Sequence, residues 1–171
     1  MKEVELRRHT ANDGDALTPD GIVDAVAIGR HLSGRYGVVV SSGAQRATQT
    51  AACFVAGLGE EVPGGVVVEP RLRSEAEDRW RELYQEAGAG DLGSLRAVDS
   101  AFVDADAERL GSGLAAIFER LDERGRALAV GHSPTNEAAV YGITGVVVDP
   151  MAKGAGVVVR QREGGYDVLA I

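Results

Sequence analysis

The order of hydrophobic and polar positions along the chain predicts short strands separated by helices. Alternating or continuously apolar segments, mostly rich in valine, indicate strands at 4–8, 37–42, 65–70 and 126–132. Apolar or helix-compatible residues predict helices at 18–34, 44–57, 74–88 and 106–125, whereas "GAGDLGSLRAV" at 88–98 favours a loop. Residues 156–171 predict a β-hairpin that turns at Gly164 and Gly165.

Two dipeptides, each a serine or threonine followed by a proline, predict the starts of helices. Thr18 precedes Pro19, and Ser133 precedes Pro134. A serine or threonine side chain can cap a helix N-terminus, and proline is favoured in the first turn because no backbone N–H is needed there. We therefore expect Thr18 and Ser133 to be the N-caps of two helices.

Strands that alternate with helices predict an α/β fold. The expected architecture is a three-layer α/β/α sandwich in one domain over residues 1–171, with a mostly parallel central sheet and an antiparallel C-terminal hairpin. In such a sheet, ligands bind outside the carboxyl ends of the parallel strands, close to helix N-termini. The residues that follow predicted strands are therefore the first candidates for chemistry.

The composition narrows the possible functions. The formal net charge is -8, which disfavours binding to nucleic acid because such binding needs a basic surface. No apolar run is long enough to predict a membrane span, and the N-terminus does not resemble a secretory signal. Cys53 is the only cysteine, which fits a cytoplasmic location. An anion bound by this protein needs a local cluster of positive charge.

The predicted strand ends supply such a cluster. The first strand ends at Arg8 and His9, the second is followed by Arg46 in the next helix, and the strand at 126–131 is followed by His132 and Ser133. Each of these residues alone would more often be structural or solvated. Together they place arginine side chains and helix N-termini at one edge, and both groups bind phosphate oxygens.

Three motifs in order along the chain resemble those of a known family. These are "LRRHT" at 6–10, "SSGAQRATQTA" at 41–51 and "VGHSPTNEAA" at 130–139, with "LTPDG" at 17–21 similar to the usual opening of the first helix. The chain resembles the histidine phosphatase superfamily, with its phosphoglycerate mutase-like fold, and in size it is similar to the small SixA-type branch. Thr10 stands where the family normally has glycine, and Gly43 replaces a common proline.

The resemblance implies covalent phosphoryl transfer through a histidine. His9 would be the nucleophile, Arg8 and Arg46 would hold the phosphoryl oxygens, and His132 would be a further donor, expected to be protonated. Thr10 and Ser133 are also expected to bind the phosphate, Thr10 by donating its hydroxyl to a phosphate oxygen. No metal or other cofactor is expected, because the positive side chains take the place of a metal ion.

The general acid is less well defined by the sequence. The family's glutamate usually lies two residues after a leucine, but Ser74 occupies that position after Leu72. Glu75 is the nearest candidate, Glu77 and Asp78 are alternatives, and an enzyme acting on phosphohistidine could need no acid at all. Arg7 lies on the opposite side of the strand from Arg8, and we expect it to be exposed or salt-bridged.

The leading hypothesis is therefore a metal-independent phosphatase that forms a phosphohistidine intermediate on a phosphomonoester or phosphohistidine substrate. The alternatives are a phosphoglycerate mutase-like phosphotransferase and a catalytically weak phosphate-binding regulatory module. The expected partner is a phosphorylated small molecule or a phosphoprotein, with neither nucleic acid nor membrane involved. Residues of about 70–105 would form a short cap-like segment, and so short a cap favours an open site.

Overall fold

The computed structural model describes residues 1–171 and contains eight strands and six α-helices. The strands are β1 (Lys2–Arg8), β2 (Asn12–Asp13), β3 (Ala16–Leu17), β4 (Val38–Ser41), β5 (Val66–Val68), β6 (Arg126–Gly131), β7 (Gly156–Arg162) and β8 (Gly165–Ala170). The helices are α1 (Pro19–His31), α2 (Gln45–Leu58), α3 (Glu77–Ala87), α4 (Leu92–Val98), α5 (Ser100–Arg120) and α6 (Thr135–Thr144), with a 3-10 turn at Pro70–Leu72. No helix is both long and apolar enough to cross a membrane.

Six strands form one sheet in the order β5-β4-β6-β1-β7-β8. Strands β5, β4, β6 and β1 are parallel to one another, whereas β7 runs antiparallel to β1 and β8 runs antiparallel to β7. The short strands β2 and β3 form a separate hairpin. The predicted α/β class, with a mostly parallel sheet and a C-terminal antiparallel hairpin, is confirmed.

Both faces of the sheet are covered, because successive residues of its central strands point to opposite sides. Ala127 and Ala129 of β6 belong to a core of 23 buried residues beneath α5 and α6. Leu128 and Val130 of the same strand belong to a second core of nine residues beneath α1 and α2. The sheet and the helices packed on its two faces are therefore the three predicted layers.

On each face, two helices meet through glycines at very close range. A Cβ on Gly29 of α1 would lie 2.5 Å from the carbonyl oxygen of Phe54 in α2. On the other face, a Cβ on Gly142 of α6 would lie 2.0 Å from the carbonyl oxygen of Ala107 in α5. Gly111 faces the same contact, so a glycine that weakens helix α5 by propensity allows its packing.

The helices differ from the predicted ones chiefly between residues 88 and 106. Residues 92–98 form α4 rather than a loop, because Asp91 caps it by accepting from the backbone N–H of Ser94 at 2.9 Å. Asp99 then caps α5, which begins at Ser100 rather than at residue 106. Thr18 is the N-cap of α1 as predicted.

The prediction that Ser133 caps α6 is wrong. The helix begins at Thr135, after a cis peptide bond between Ser133 and Pro134. The hydroxyl of Ser133 donates to Oε1 of Glu137 at 2.6 Å instead of accepting from a helix N–H. The buried carboxylate of Glu137 thus binds the hydroxyl that the local sequence predicts to be the N-cap of α6.

Candidate active site

The two histidines that follow β1 and β6 lie side by side. Arg8 pairs with Gly131 in the register of these parallel strands, so the next residues, His9 and His132, leave the sheet at the same edge. The backbone N–H of His9 donates to the carbonyl of Gly131 at 3.0 Å, and the two imidazole rings lie 5.2 Å apart. The structure therefore brings together the pair selected from the strand ends.

The imidazole of His9 is held in one tautomer with a free nitrogen. Its Nδ1 lies 2.8 Å from the carbonyl oxygen of Thr10, and a carbonyl can only accept, so Nδ1 carries the hydrogen. Burial lowers the pKa of His9 to about 4, and the charges of Lys153, Arg46 and Arg8 also favour the neutral form. Nε2 consequently keeps a lone pair at neutral pH.

His132 is also neutral, which corrects the expectation that it is protonated. Its Nε2 lies 2.7 Å from Oγ of Ser42, and its Nδ1 is buried without a hydrogen-bond partner. Burial lowers the pKa of His132 to about 3, with further contributions from Arg46 and His9. A buried polar atom without a partner is costly in a folded protein, so the hydrogen-bonding capacity of Nδ1 is left unmet.

The two arginines selected from the sequence stand beside the histidines but differ in their partners. Arg8 donates to the carbonyl oxygen of Met151 at 2.9 Å, its Nε is buried without a partner, and it forms no ion pair. Burial lowers the pKa of its guanidinium. Arg46, in the first turn of α2, donates to Oδ1 of Asp15 at 2.6 Å. Arg8 thus offers unpaired positive charge, whereas the charge of Arg46 is shared with a carboxylate.

The side chains of Thr10 and Ser133 are used within the scaffold. The hydroxyl of Thr10 donates to the carbonyl of Gly21 at 2.8 Å, and the residue is almost completely buried. The hydroxyl of Ser133 is bound to Glu137, although the residue does line the adjoining cavity. Each of these hydroxyl protons already has an acceptor within the protein, and contacts from the two residues to phosphate stay a prediction. Arg7, by contrast, is salt-bridged as predicted, with Nε 2.6 Å from Oε1 of Glu5.

A cavity of about 420 Å³ opens from this group towards α3. Arg46 and His132 line it, as do Trp80 and Tyr84 of α3, whereas His9 and Arg8 are not among its lining residues. Its remaining lining residues are Ser74, Glu77, Arg81, Gln85, Ser133, Pro134 and Thr135. The segment of about 70–105 therefore contributes one side of the cavity through α3.

The three candidate acids are placed differently with respect to this cavity. Glu75, the nearest candidate from the sequence, is 87% exposed, lies outside the cavity, and has only a 3.9 Å contact to Arg109. Asp78 is equally exposed and pairs with Arg81. Glu77 lines the cavity, but both of its carboxylate oxygens are bound by Arg73, at 2.6 and 3.2 Å.

Two charged residues near the histidines were missed by the sequence reasoning. Asp15, in the β2–β3 turn, pairs with Arg46 and also accepts from the backbone N–H of Gln45. Lys153 precedes β7, and its charge acts on His9. Because β7 is antiparallel to β1, its first residues lie at the edge where β1 ends. Lys153 could have been predicted by considering the residues that precede an antiparallel strand as well as those that follow parallel strands.

Comparisons with known proteins agree with this geometry. A family model described as the histidine phosphatase superfamily (branch 1) matches residues 3–155. No curated protein is detectably similar to the chain in sequence. Phosphoglycerate mutase from Bacillus anthracis str. Sterne is a similar solved structure, with a TM-score of 0.73, 16% identity, and 99% of this chain and 92% of that chain covered.

Two further structures share the fold. Phosphoserine phosphatase from Entamoeba histolytica has a TM-score of 0.73 and 17% identity, with 98% of this chain and 95% of that chain covered. A structure named as phosphohistidine phosphatase SixA, from Agrobacterium tumefaciens, has a TM-score of 0.56 and 17% identity, with the same coverage. Identities this low show the shared fold alone. Since the family model spans nearly the whole chain, this protein belongs to the histidine phosphatase superfamily, branch 1.

Proposed function

We propose that this protein is a metal-independent phosphatase that uses Nε2 of His9 as its nucleophile. The observation that carries the proposal is the fixed, neutral imidazole of His9, whose Nδ1–H is bound to Thr10 and whose neighbours include Arg8, Arg46 and His132. A neutral nitrogen can attack phosphorus without first losing a proton. The adjacent cations favour the negative charge that builds up on the phosphoryl oxygens.

In the first step, the lone pair of His9 Nε2 forms a bond to phosphorus while the bond from phosphorus to the ester oxygen breaks. The electron pair of that bond leaves with the ester oxygen, which then takes up a proton. Arg8 and Arg46 hold the equatorial oxygens. If the hydroxyl of Ser42 donates to Nε2 of His132, the unpartnered Nδ1–H of His132 becomes a further donor, so His132 need not be protonated.

In the second step, water attacks phosphorus, the bond to Nε2 breaks with its electron pair returning to the ring, and inorganic phosphate leaves. Glu77 is the carboxylate that lines the cavity, so we assign to it the proton exchanges with the leaving group and with water. Leaving groups that are stable as anions therefore depend least on it.

The cavity favours a small phosphomonoester over a phosphorylated protein surface. A volume of about 420 Å³ lies in the usual range for small-molecule sites. Trp80 and Tyr84 offer an apolar wall, and Arg81 and Gln85 offer polar groups to the non-reacting part of the substrate. The structural relatives named for phosphoserine and phosphoglycerate chemistry are consistent with a substrate of this size.

Hydrolysis of p-nitrophenyl phosphate in EDTA tests the proposal, with His9→Ala as the key variant. We expect wild-type turnover to survive EDTA and His9→Ala to lose it by about 10³-fold or more. His31→Ala is the matched control, because His31 is exposed on α1 and away from the site. Equal activity in wild type and His9→Ala would rule out His9 as the nucleophile. A wild type that binds phosphate without any turnover would instead favour the binding-module alternative.

A further inference from the structure

Lys153 sits on a loop that is fixed tightly to the end of β1. Within this loop, residues 151–155, the carbonyl of Met151 accepts from Arg8 at 2.9 Å and the carbonyl of Gly154 accepts from Arg7 at 2.8 Å. The backbone N–H of Gly154 donates to the carbonyl of Arg8 at 3.1 Å. The loop is thus held on both sides of Lys153, directly beside the residue that precedes His9.

The ammonium group of Lys153 has no carboxylate partner. Its Nζ donates to Oδ1 of Asn12 at 2.5 Å, and this neutral amide is its only hydrogen-bond partner. The chain carries a net charge of -8 and has only two lysines, so an unpaired lysine beside Arg8 is not an effect of general basicity. The side chain remains exposed and therefore accessible to a ligand.

The positive charges of Arg8 and Arg46 repel Lys153, and Lys153 forms no ion pair of its own that compensates for this. Partial loss of hydration and the charges of Arg8 and Arg46 lower the pKa of Lys153 to about 8. A protein does not gain stability by collecting unpaired cations, whereas an anion placed among them is bound strongly. The cluster is therefore arranged for a ligand with at least two negative charges.

We propose that Lys153 binds the phosphoryl group directly, as a third cation beside Arg8 and Arg46, with Asn12 positioning its ammonium group. This inference rests on the proposed function only in taking the site to hold a phosphoryl group. Lys153 lies outside the three motifs and on the far side of β1 from His132. The compact ammonium suits a contact to one oxygen, whereas the two guanidinium groups suit paired oxygens.

Lys153 is the group in this cluster that titrates above neutral pH. The groups facing it are Arg8 and His9 at the end of β1, Arg46 on α2 with its partner Asp15, and Asn12 of β2. The pKa of His9 is about 4 and that of His132 is about 3, so both stay neutral above pH 6. Loss of the Lys153 charge should therefore be visible as weaker anion binding as the pH rises through about 8.

Sulfate is a suitable probe, because it keeps two negative charges throughout this pH range. Its dissociation constant would be measured by calorimetry at about pH 7 and about pH 9.5 for wild type, Lys153→Met, Lys153→Arg and Lys2→Met. Lys2→Met is the matched control, since it removes the other lysine, whose Nζ bonds to the carbonyl of Phe118 at the opposite end of β1.

For the wild type we expect sulfate to bind about tenfold more weakly at the higher pH, as for loss of one charged hydrogen bond. Lys153→Met should bind about tenfold more weakly already at the lower pH and show little further loss. Lys153→Arg should bind well at both pH values, a rescue that a merely structural role would not produce. Lys2→Met should follow the wild type.

Wild-type affinity and pH dependence in Lys153→Met would overturn the role of Lys153. If that result came with loss of binding in Arg46→Met, the anion site itself would stand and only the lysine contact would fail. No sulfate binding by the wild type would overturn the anion site as a whole. Because calorimetry measures binding alone, the outcome for Lys153 does not depend on whether the protein shows phosphatase turnover.

Discussion

The neutral state of His9 and His132 follows from their burial at the sheet edge, not from their identity as histidines. Both rings are less than a tenth exposed, and the arginines nearby oppose a second positive charge. His31, the third histidine, is exposed and bonds only to a carbonyl of its own helix. The same residue type is therefore a buried neutral base at two positions and a surface group at the third.

Burial of the two neutral histidines makes stability depend on pH. In the unfolded chain both take up a proton near pH 6.5, whereas the folded protein resists until about pH 4 for His9 and about pH 3 for His132. The contribution of the two neutral histidines to the free energy of unfolding should be at its maximum above pH 6.5. It should decrease as the pH drops towards 4. The expected slope is about 1.4 kcal/mol per pH unit for each histidine. Urea unfolding between about pH 7 and about pH 4.5 measures it.

The control for this slope is again the exposed histidine. His132→Gln should roughly halve the slope, whereas His31→Gln should leave it unchanged. Carboxylates with a lowered pKa, such as Asp99 beside Arg79, lose their contribution to stability only at more acidic pH. They therefore do not affect the slope in the pH range of this measurement. A slope that is unaffected by His132→Gln would mean that this ring is protonated in the folded protein.

Glu77 and Glu75 form a matched pair for testing the acid. Glu77→Gln should lower kcat/KM for an alkyl phosphate by about 10²-fold, because the alkoxide leaving group needs a proton. The loss for p-nitrophenyl phosphate should be less than about tenfold, since that leaving group is a stable anion. Glu75→Gln should change neither, because Glu75 points into solvent outside the cavity. Equal losses on the two substrates would show that Glu77 acts on binding and not on the leaving group.

The positions of some site residues were predictable from the sequence, whereas the hydrogen bonds of others were not, for a physical reason. Arg8, His9, Arg46 and His132 were found because their position follows from where strands end. The partners of the Thr10 and Ser133 hydroxyls were not predicted because these acceptors, the carbonyl of Gly21 and the carboxylate of Glu137, belong to other elements. A local pattern shows which donors exist, whereas tertiary packing decides what they bind.

At the level of elements, strands and long helices were predictable because periodicity over many residues fixes them. Helix α4 was missed because it is only seven residues long and contains Gly93, so its apolar pattern is short. Its cap, Asp91, and the cap of α5, Asp99, were visible in the sequence and were stronger signals than periodicity. The error on α5 likewise lay in its bounds, which are 100–120 and not 106–125, and not in its existence.

At the contact between α1 and α2, packing and helix propensity are expected to change the free energy of unfolding in opposite directions. An exposed helical Gly→Ala change would raise stability by about 1 kcal/mol. Gly29→Ala should instead lower the free energy of unfolding by about 1–3 kcal/mol, because the added Cβ meets the Phe54 carbonyl and the helices must separate. Chemical denaturation measures this. Gly165→Ala is the control, since no atom lies within 4 Å of its added Cβ, and stabilisation by Gly29→Ala would contradict the close contact.

On the scale of the whole molecule, the site exists only when distant parts of the chain come together. His9 follows β1, Arg46 lies on α2, His132 follows β6, and Lys153 precedes β7. The order of the strands brings all four segments to one edge of the sheet, and an antiparallel strand can supply a residue there by its first end. An acidic chain thus obtains a local positive site through topology, not through a basic stretch of sequence.

An anion bound at this edge should therefore stabilise the entire fold, because the unfolded chain has no site for it. At a free phosphate concentration of about 100 times the dissociation constant, the gain is about 2.7 kcal/mol. For a protein of this length, that corresponds to a rise in Tm of roughly 5–11 °C. Scanning calorimetry with phosphate, against chloride at equal ionic strength, measures the rise.

Arg46→Met tests whether that rise comes from the site. The variant loses one of the cations around the anion, so its Tm should rise much less with phosphate, whereas Arg30→Met, at the exposed end of α1, should respond like the wild type. Both variants change the net charge equally, so a general effect of salt on an acidic protein would move them together. Equal rises in Arg46→Met and the wild type would place the bound phosphate somewhere other than the edge where β1 and β6 end.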